Sequence, residues 1–235
     1  MNETADVAIV TGAGRGIGRA VSEALTRCGV SVIGTSRTER ELDEVAGAVS
    51  REGNGRFYPC VADVAEEASI KTLVDYAVAE FGRVDILVNN AGTGTTAPFL
   101  ETSAEDWDQQ MAVNARGVFL VTREVGRLMA ERGAGKIVNI SSMAGKRSGP
   151  QIAAYAASKF AAVGMTEVAA RELGRKGVRV YSLCPGAVAT ALRREAAPDE
   201  DPASIMQPSD LGALVAFLVA GGGAGLRDVG LEICR

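Results

Sequence analysis

The tightest constraint on this chain lies near its start. A short apolar run, Val7-Ala-Ile-Val-Thr11, meets a turn containing Gly12, Gly14, Gly16 and Gly18. The turn leads into Arg19–Cys28, where Ala20, Val21, Ala24 and Leu25 recur at helical spacing. Strand, glycine-rich turn and helix, in that order, open a dinucleotide-binding βαβ unit. Glycines let the backbone approach a pyrophosphate, and the helix N-terminus offers it free N–H groups. The spacing is Gly12-x-x-x-Gly16-x-Gly18 rather than the strict G-x-G-x-x-G.

The same alternation continues along the chain. Strand-like runs are read at Ser31–Thr35, Arg56–Val61, Val84–Val88, Gly135–Ile140, Val178–Leu183 and Val229–Ile233. Helices are read at Glu39–Ser50, through Ile70, Leu73, Val74, Ala77, Val78 and Phe81, at Glu105–Arg132 with a break near Asn114, at Ile152–Lys176 and at Leu211–Val219. A polar, proline-containing loop is expected from about Ala191 to Gln207. This pattern predicts an α/β fold: a single Rossmann-type, doubly wound sheet of about seven parallel strands, with helices on both faces. No composition break divides the 235 residues, so one domain is expected. The glycine-rich turn, Asn89–Gly92, Ser142 and Pro185 each follow a strand. All fall on the carboxyl edge of the sheet, where open α/β folds bind ligands.

The chain has no histidine. That excludes Ser-His-Asp and Cys-His catalysis and every histidine-ligated metal site. Acid–base chemistry must use Tyr, Lys, Cys or a carboxylate. Tyr155-Ala-Ala-Ser-Lys159 supplies two of these four residues apart, on one face of a helix. A fixed cation favours the phenolate and lowers the tyrosine pKa from its ordinary value of about 10. A shift of roughly 3 units takes about 4 kcal/mol, within reach of a partly buried ammonium aided by a cationic ring. Tyr155 could then exchange a proton with an oxygen that Ser142 holds.

The net charge of −4 gives no basic field for nucleic acid. The polar start fits no signal peptide, and no apolar run reaches the roughly 20 residues of a membrane span. The four cysteines, Cys28, Cys60, Cys184 and Cys234, form no C-x-x-C pair. A cytoplasmic protein with reduced thiols is expected.

With these residues assembled, the chain resembles the short-chain dehydrogenases/reductases from about Val7 to Thr190. The resemblance rests on Thr11-Gly-x-x-x-Gly16-x-Gly18, Asp63-Val64, Asn89-Asn-Ala-Gly92, Asn114, Ser142, Tyr155-x-x-x-Lys159 and Pro185-Gly186-x-Val188-x-Thr190. It implies that Tyr155 is the proton donor or acceptor, and that Ser142 holds the substrate carbonyl. Lys159 would bind the nicotinamide ribose and acidify Tyr155, while Asn114 supports a water-linked proton relay. The implied cofactor contacts are Gly12, Arg15, Gly16, Ile17 and Gly18 at the turn, the adenine contact at Asp63 with Val64, and the loop Asn89, Ala91 and Gly92. Pro185 and Gly186 follow the sixth strand, and Val188 and Thr190 would reach the nicotinamide amide. A homodimer or homotetramer built on the Tyr155 helix and the Gln109–Arg132 helix is also implied.

Cofactor choice is read at Thr35-Ser36-Arg37. An acid at the end of the second strand binds a free ribose 2′-hydroxyl, and an arginine accommodates a 2′-phosphate. Here Ser36 stands where the acid would be, and Arg37 follows it, so NADP (NADPH) is expected. The resemblance is strongest to 3-ketoacyl-carrier-protein reductases, which implies a substrate carried on an acyl carrier protein docked at Arg132 and Arg171, with Lys146 and Arg147 adding charge beside Ser142. A second reading is an NADP-linked dehydrogenase of a small alcohol, sugar or polyol without a carrier. A third is a nucleotide-sensing scaffold, against which stands the complete Asn114, Ser142, Tyr155 and Lys159 set. Two features depart from the family. The glycine-rich C-terminal signature is replaced by Gly221–Gly223 and Asp228–Arg235, and the substrate lid at about 191–207 is short and charged.

Overall fold

The computed structural model describes residues 6–49, 55–222, 226 and 230–234. The strands are β1 (Val7–Thr11), β2 (Ser31–Ser36), β3 (Phe57–Val61), β4 (Ile86–Asn89), β5 (Gly135–Ile140), β6 (Val178–Pro185) and β7 (Gly230–Ile233). They form one sheet in the order β3-β2-β1-β4-β5-β6-β7, and every pairing is parallel. Ser50, Gly223, Asp228, Val229 and Arg235, which the sequence reading assigned to helix, loop or strand, lie outside the described residues.

Alternation along each strand explains why both faces are covered. Ala8, Val10, Val32, Val138 and Leu183 point to one core; Val7, Ile9, Ile33, Ile137 and Val180 point to the other. The first core is closed by α1 (Gly16–Arg27) through Val21 and Leu25, α2 (Glu39–Val49) through Leu42 and Val45, and Leu211 and Val215 downstream. The second is closed by α3 (Glu67–Phe81) through Ile70 and Leu73, and by Val121, Val125 and Met129. Burying each of these side chains contributes about 1.5–3 kcal/mol.

The expected helical segment from Glu105 is three pieces: α4 (Ala104–Met111), a π-helical turn (Ala112–Gly117) and α5 (Val118–Arg132). Asn114 sits inside the π turn, where such irregularities often mark functional sites. The long helix is α6 (Ala153–Gly174). The expected loop after Thr190 contains a short helix, α7 (Ala191–Ala196), capped by the Thr190 side chain accepting from Arg193 N. Ala, Leu, Arg and Glu are strong helix formers, and the cap sets the start. The polarity of the segment reflects exposure, not irregularity. An Arg193–Glu200 pair at 2.6–2.7 Å and a bridge between Val188 and Met206 close the segment on itself. The last helix is α8 (Pro208–Phe217), continued by a π turn to Gly222.

A buried polar ladder ties α6 to the sheet. Asn89 Nδ2 donates to Thr122 Oγ1 (2.9 Å) and to Asn139 Oδ1 (2.8 Å); Asn139 Nδ2 donates to Thr166 Oγ1 (2.9 Å). Thr166 in turn donates to Ala162 O at 2.6 Å. Because these groups are buried and paired, the ladder fixes how α6 seats against β4 and β5, and so where Tyr155 and Lys159 lie.

Candidate active site

A groove of about 340 Å³ opens on the carboxyl edge of the sheet. Its floor at one end is the glycine-rich turn. Gly12 and Gly16 hold φ of +63° and +54°, a region L side chains rarely adopt. A Cβ on Gly18 would stand 2.1 Å from the Gly12 carbonyl oxygen, so Gly18 serves the packing of turn on helix and does not line the groove. Asn90 holds the turn from the other side: its Nδ2 donates to the Thr11 and Gly12 carbonyls at 3.0 and 3.1 Å.

Of the expected cofactor contacts, Gly12, Arg15, Gly16, Ile17, Ser36, Arg37, Asp63, Val64, Ala91, Gly92 and Thr190 line the groove. Asn89 does not. Its side chain is spent in the polar ladder, and its neighbour Asn90 reaches the groove instead. Pro185 ends β6, Gly186 N donates to Ile233 O, and Val188 is buried against the lid bridge. None of these three lines the groove. Sequence reasoning missed Glu41, Thr93, Gly94 and Gln109, which do. Glu41 and Gln109 sit on ordinary amphipathic helices, and nothing in their local spacing sets them apart.

At the other end stands the Tyr155 cluster. Ser142 begins a short 3-10 turn, Met143–Gly145, and its Oγ accepts from Ala144 N at 3.1 Å. The Ser142 side chain lies close enough to Tyr155 to act on its phenol. Lys159 is buried, 5% exposed; its Nζ donates to Ile140 O at 3.1 Å and lies 5.7 Å from the Tyr155 ring centre. Asn114 Oδ1 accepts from Thr93 N (2.9 Å), and its Nδ2 donates to Thr93 O (2.8 Å) and Ser158 Oγ (3.0 Å). Ser158 donates to the Tyr155 carbonyl at 2.7 Å, so Asn114 is linked to the tyrosine's own backbone.

Burial acts on both titratable groups of the cluster. Burial raises the Tyr155 phenol above its ordinary value, and the Ser142 hydrogen bond pulls it back only in part. Burial also lowers Lys159 to about 8. The ammonium is turned to a backbone carbonyl, and the same burial disfavours its charged form.

The two arginines read as carrier contacts lie together at the other edge of the sheet. Arg132 ends α5 and donates to Asp85 at 2.7 Å, just before β4 and β5 begin. Arg171 lies near the end of α6, just before β6. Both sit at the amino edge of the sheet, opposite Tyr155. Arg147 pairs with Glu232 of β7 at 3.9 Å.

The groove's chemistry fits a dinucleotide. No side chain caps α1, which leaves its N-terminus to a ligand, and the buried Thr35 hydroxyl beside the turn has no hydrogen-bond partner. A parallel, doubly wound sheet with this turn at one end of a groove and a Ser–Tyr–Lys cluster at the other defines a nucleotide-dependent oxidoreductase class. The short chain dehydrogenase family model matches residues 6–201, and the chain belongs to that family. It is 41% identical to D-threitol dehydrogenase of Mycolicibacterium smegmatis over 81% of this chain and 73% of that one. It is 38% identical to a 3-oxoacyl-[acyl-carrier-protein] reductase of Synechocystis over 80% and 76% of the two chains. A solved actinorhodin polyketide ketoreductase variant with NADPH superposes with a TM-score of 0.90 at 33% identity, covering 98% and 96%.

Proposed function

We propose that this protein is an NADP(H)-dependent oxidoreductase that interconverts a ketone and a secondary alcohol, with Tyr155 as general acid in the reducing direction. The placement of Tyr155 carries this reading: it lines the groove with Lys159, Ser142 lies near enough to act on its phenol, and a phenol there suits a carbonyl oxygen that gains charge. A bound nicotinamide would supply or accept the hydride. Ser142 would hold the substrate oxygen, and Tyr155 would pass its proton to it. Gly12, Gly16 and Ile17 would hold the pyrophosphate, Arg15 and Arg37 the 2′-phosphate, and Lys159, beside Gly92, the nicotinamide ribose. Asn114 would hold Thr93 and, through Ser158, the backbone of Tyr155 in register.

A 3-oxoacyl thioester or a related ketone is one substrate class. A small alcohol, sugar or polyol without a carrier is the second reading, supported by the similarity to D-threitol dehydrogenase. The distinguishing assay runs β-ketoacyl thioesters, small ketones, polyols and sugar acids against both NADPH and NADH. Turnover of thioesters alone supports the first reading, and turnover of polyols supports the second. Nucleotide binding with no turnover of any carbonyl or alcohol would leave a nucleotide-sensing protein.

The chain is read as one domain that assembles as a dimer or tetramer through α5 and α6. Phe119 and Phe160, each 47% exposed, and Val168 supply the apolar surface for that contact. Light scattering that reports a stable monomer at micromolar concentration contradicts the assembly. Among the described residues, no helix is long and apolar enough to cross a membrane.

A further inference from the structure

Glu41, in the first turn of α2, folds back onto the glycine-rich turn. A Cβ placed on Gly14 would stand 2.7 Å from Glu41 Cβ, 2.9 Å from its Oε2 and 3.4 Å from Ser36 Oγ. The carboxylate therefore lies against the turn, in the neighbourhood of Ser36, where it lines the groove. It stands 3.8 Å from Arg15 Nη1. The end of β2 offers no acid, yet the fold delivers one to that end of the groove from the next helix.

We propose that Glu41 is a specificity-determining residue of the adenosine subsite, which draws Arg15 away from a 2′-phosphate and offers a carboxylate to a free 2′-hydroxyl. It thereby narrows the preference for NADPH and admits NADH. This rests on the reading of the groove as a nicotinamide dinucleotide site.

Both arginines that suit a 2′-phosphate already face an acid: Arg15 faces Glu41, and Arg37 faces Asp63 at 4.0 Å. The two acids are held differently. Asp63 Oδ1 accepts from Ala65 N at 2.9 Å, which anchors it in the loop after β3. Glu41 reaches the site along a flexible side chain, 31% exposed, and Arg15 is 74% exposed. Exposed pairs of this kind are weak, so a phosphate can take Arg15 from Glu41. It must do so beside a like charge, whereas a ribose hydroxyl meets an acceptor. The two cofactors therefore respond to Glu41 with opposite sign.

The test is fluorescence titration of NADPH and NADH with wild type, Glu41→Gln, Arg15→Ala and the double variant. Glutamine keeps the shape that packs on Gly14 and removes the charge. Glu41→Gln is expected to tighten NADPH about fivefold, the size of one exposed charge pair, and to weaken NADH. Arg15→Ala is expected to reduce NADPH affinity less in wild type than in the Glu41→Gln background. If wild type binds both cofactors and Glu41→Gln leaves their affinity ratio within twofold, the role of Glu41 is overturned while the cofactor reading stands. If wild type binds neither, the cofactor reading falls and the role of Glu41 with it.

Discussion

Lys159 Nζ sits 5.7 Å from the centre of the Tyr155 ring and gives a hydrogen bond to the Ile140 carbonyl. The lysine is thus a buried cation held beside the tyrosine, with one backbone oxygen as its partner. Burial lowers it from 10.5 to about 8. A group whose folded pKa lies below its unfolded value penalises folding while both states are protonated. That penalty is complete below pH 8 and fades as pH rises from about 8 to 10.5, because the unfolded chain then binds the extra proton. At about 1.4 kcal/mol per unit, the whole effect is about 3 kcal/mol. In protein stripped of nucleotide, the stability of wild type relative to Lys159→Met should therefore rise across that window. Urea unfolding at a series of pH values measures it, and a flat difference would show that the ammonium is not destabilised by burial.

Cofactor affinity should depend on Arg37 in one direction only. A charge-assisted hydrogen bond to a 2′-phosphate contributes roughly 1.5–3 kcal/mol, or about 10- to 150-fold. Arg37→Ala is expected to weaken NADPH by such a factor and to leave NADH nearly unchanged. Ser36→Asp combined with Arg37→Ala is expected to reverse the preference. Equal or tighter NADH binding by wild type would refute the NADP assignment and leave the fold untouched.

The polar ladder makes a stability prediction. Thr166→Val preserves shape and removes the acceptor of Asn139 Nδ2, which is buried. An unmatched buried donor costs about 1–3 kcal/mol. The thermal midpoint should fall accordingly, and an unchanged midpoint would mean that the ladder is not a fastening of α6.

Much of this was legible because it is local. Short apolar runs such as Val7–Thr11 and Val178–Leu183 show directly in the sequence, and the strand and helix order leaves one sheet architecture. The break near Asn114 was also readable, although its π geometry and the pairing of Asn114 with Thr93 and Ser158 were not. The misses have a common cause, contacts between segments far apart. Glu41 reads as a helix-surface acid until α2 is laid beside the glycine-rich turn. Asn89 and Asn90 are indistinguishable in sequence, and only the register of β4 decides which faces the core. Arg132 reads as a free charge until Asp85 is placed against it. Spacing four apart puts Lys159 near Tyr155 without saying which oxygen its ammonium will face, and the fold turns it to Ile140 O.

Proton transfer by Tyr155 is most directly tested by its hydroxyl deletion. The variant Tyr155→Phe removes one oxygen and keeps the ring that packs against Gly94. Turnover should be measured on whichever substrate the wild type accepts, alongside titration of the cofactor. The expected result is a fall in kcat of about two to four orders of magnitude, the usual contribution of a general acid, with cofactor affinity retained. Near-normal turnover by Tyr155→Phe would contradict the assignment of Tyr155 as the proton donor.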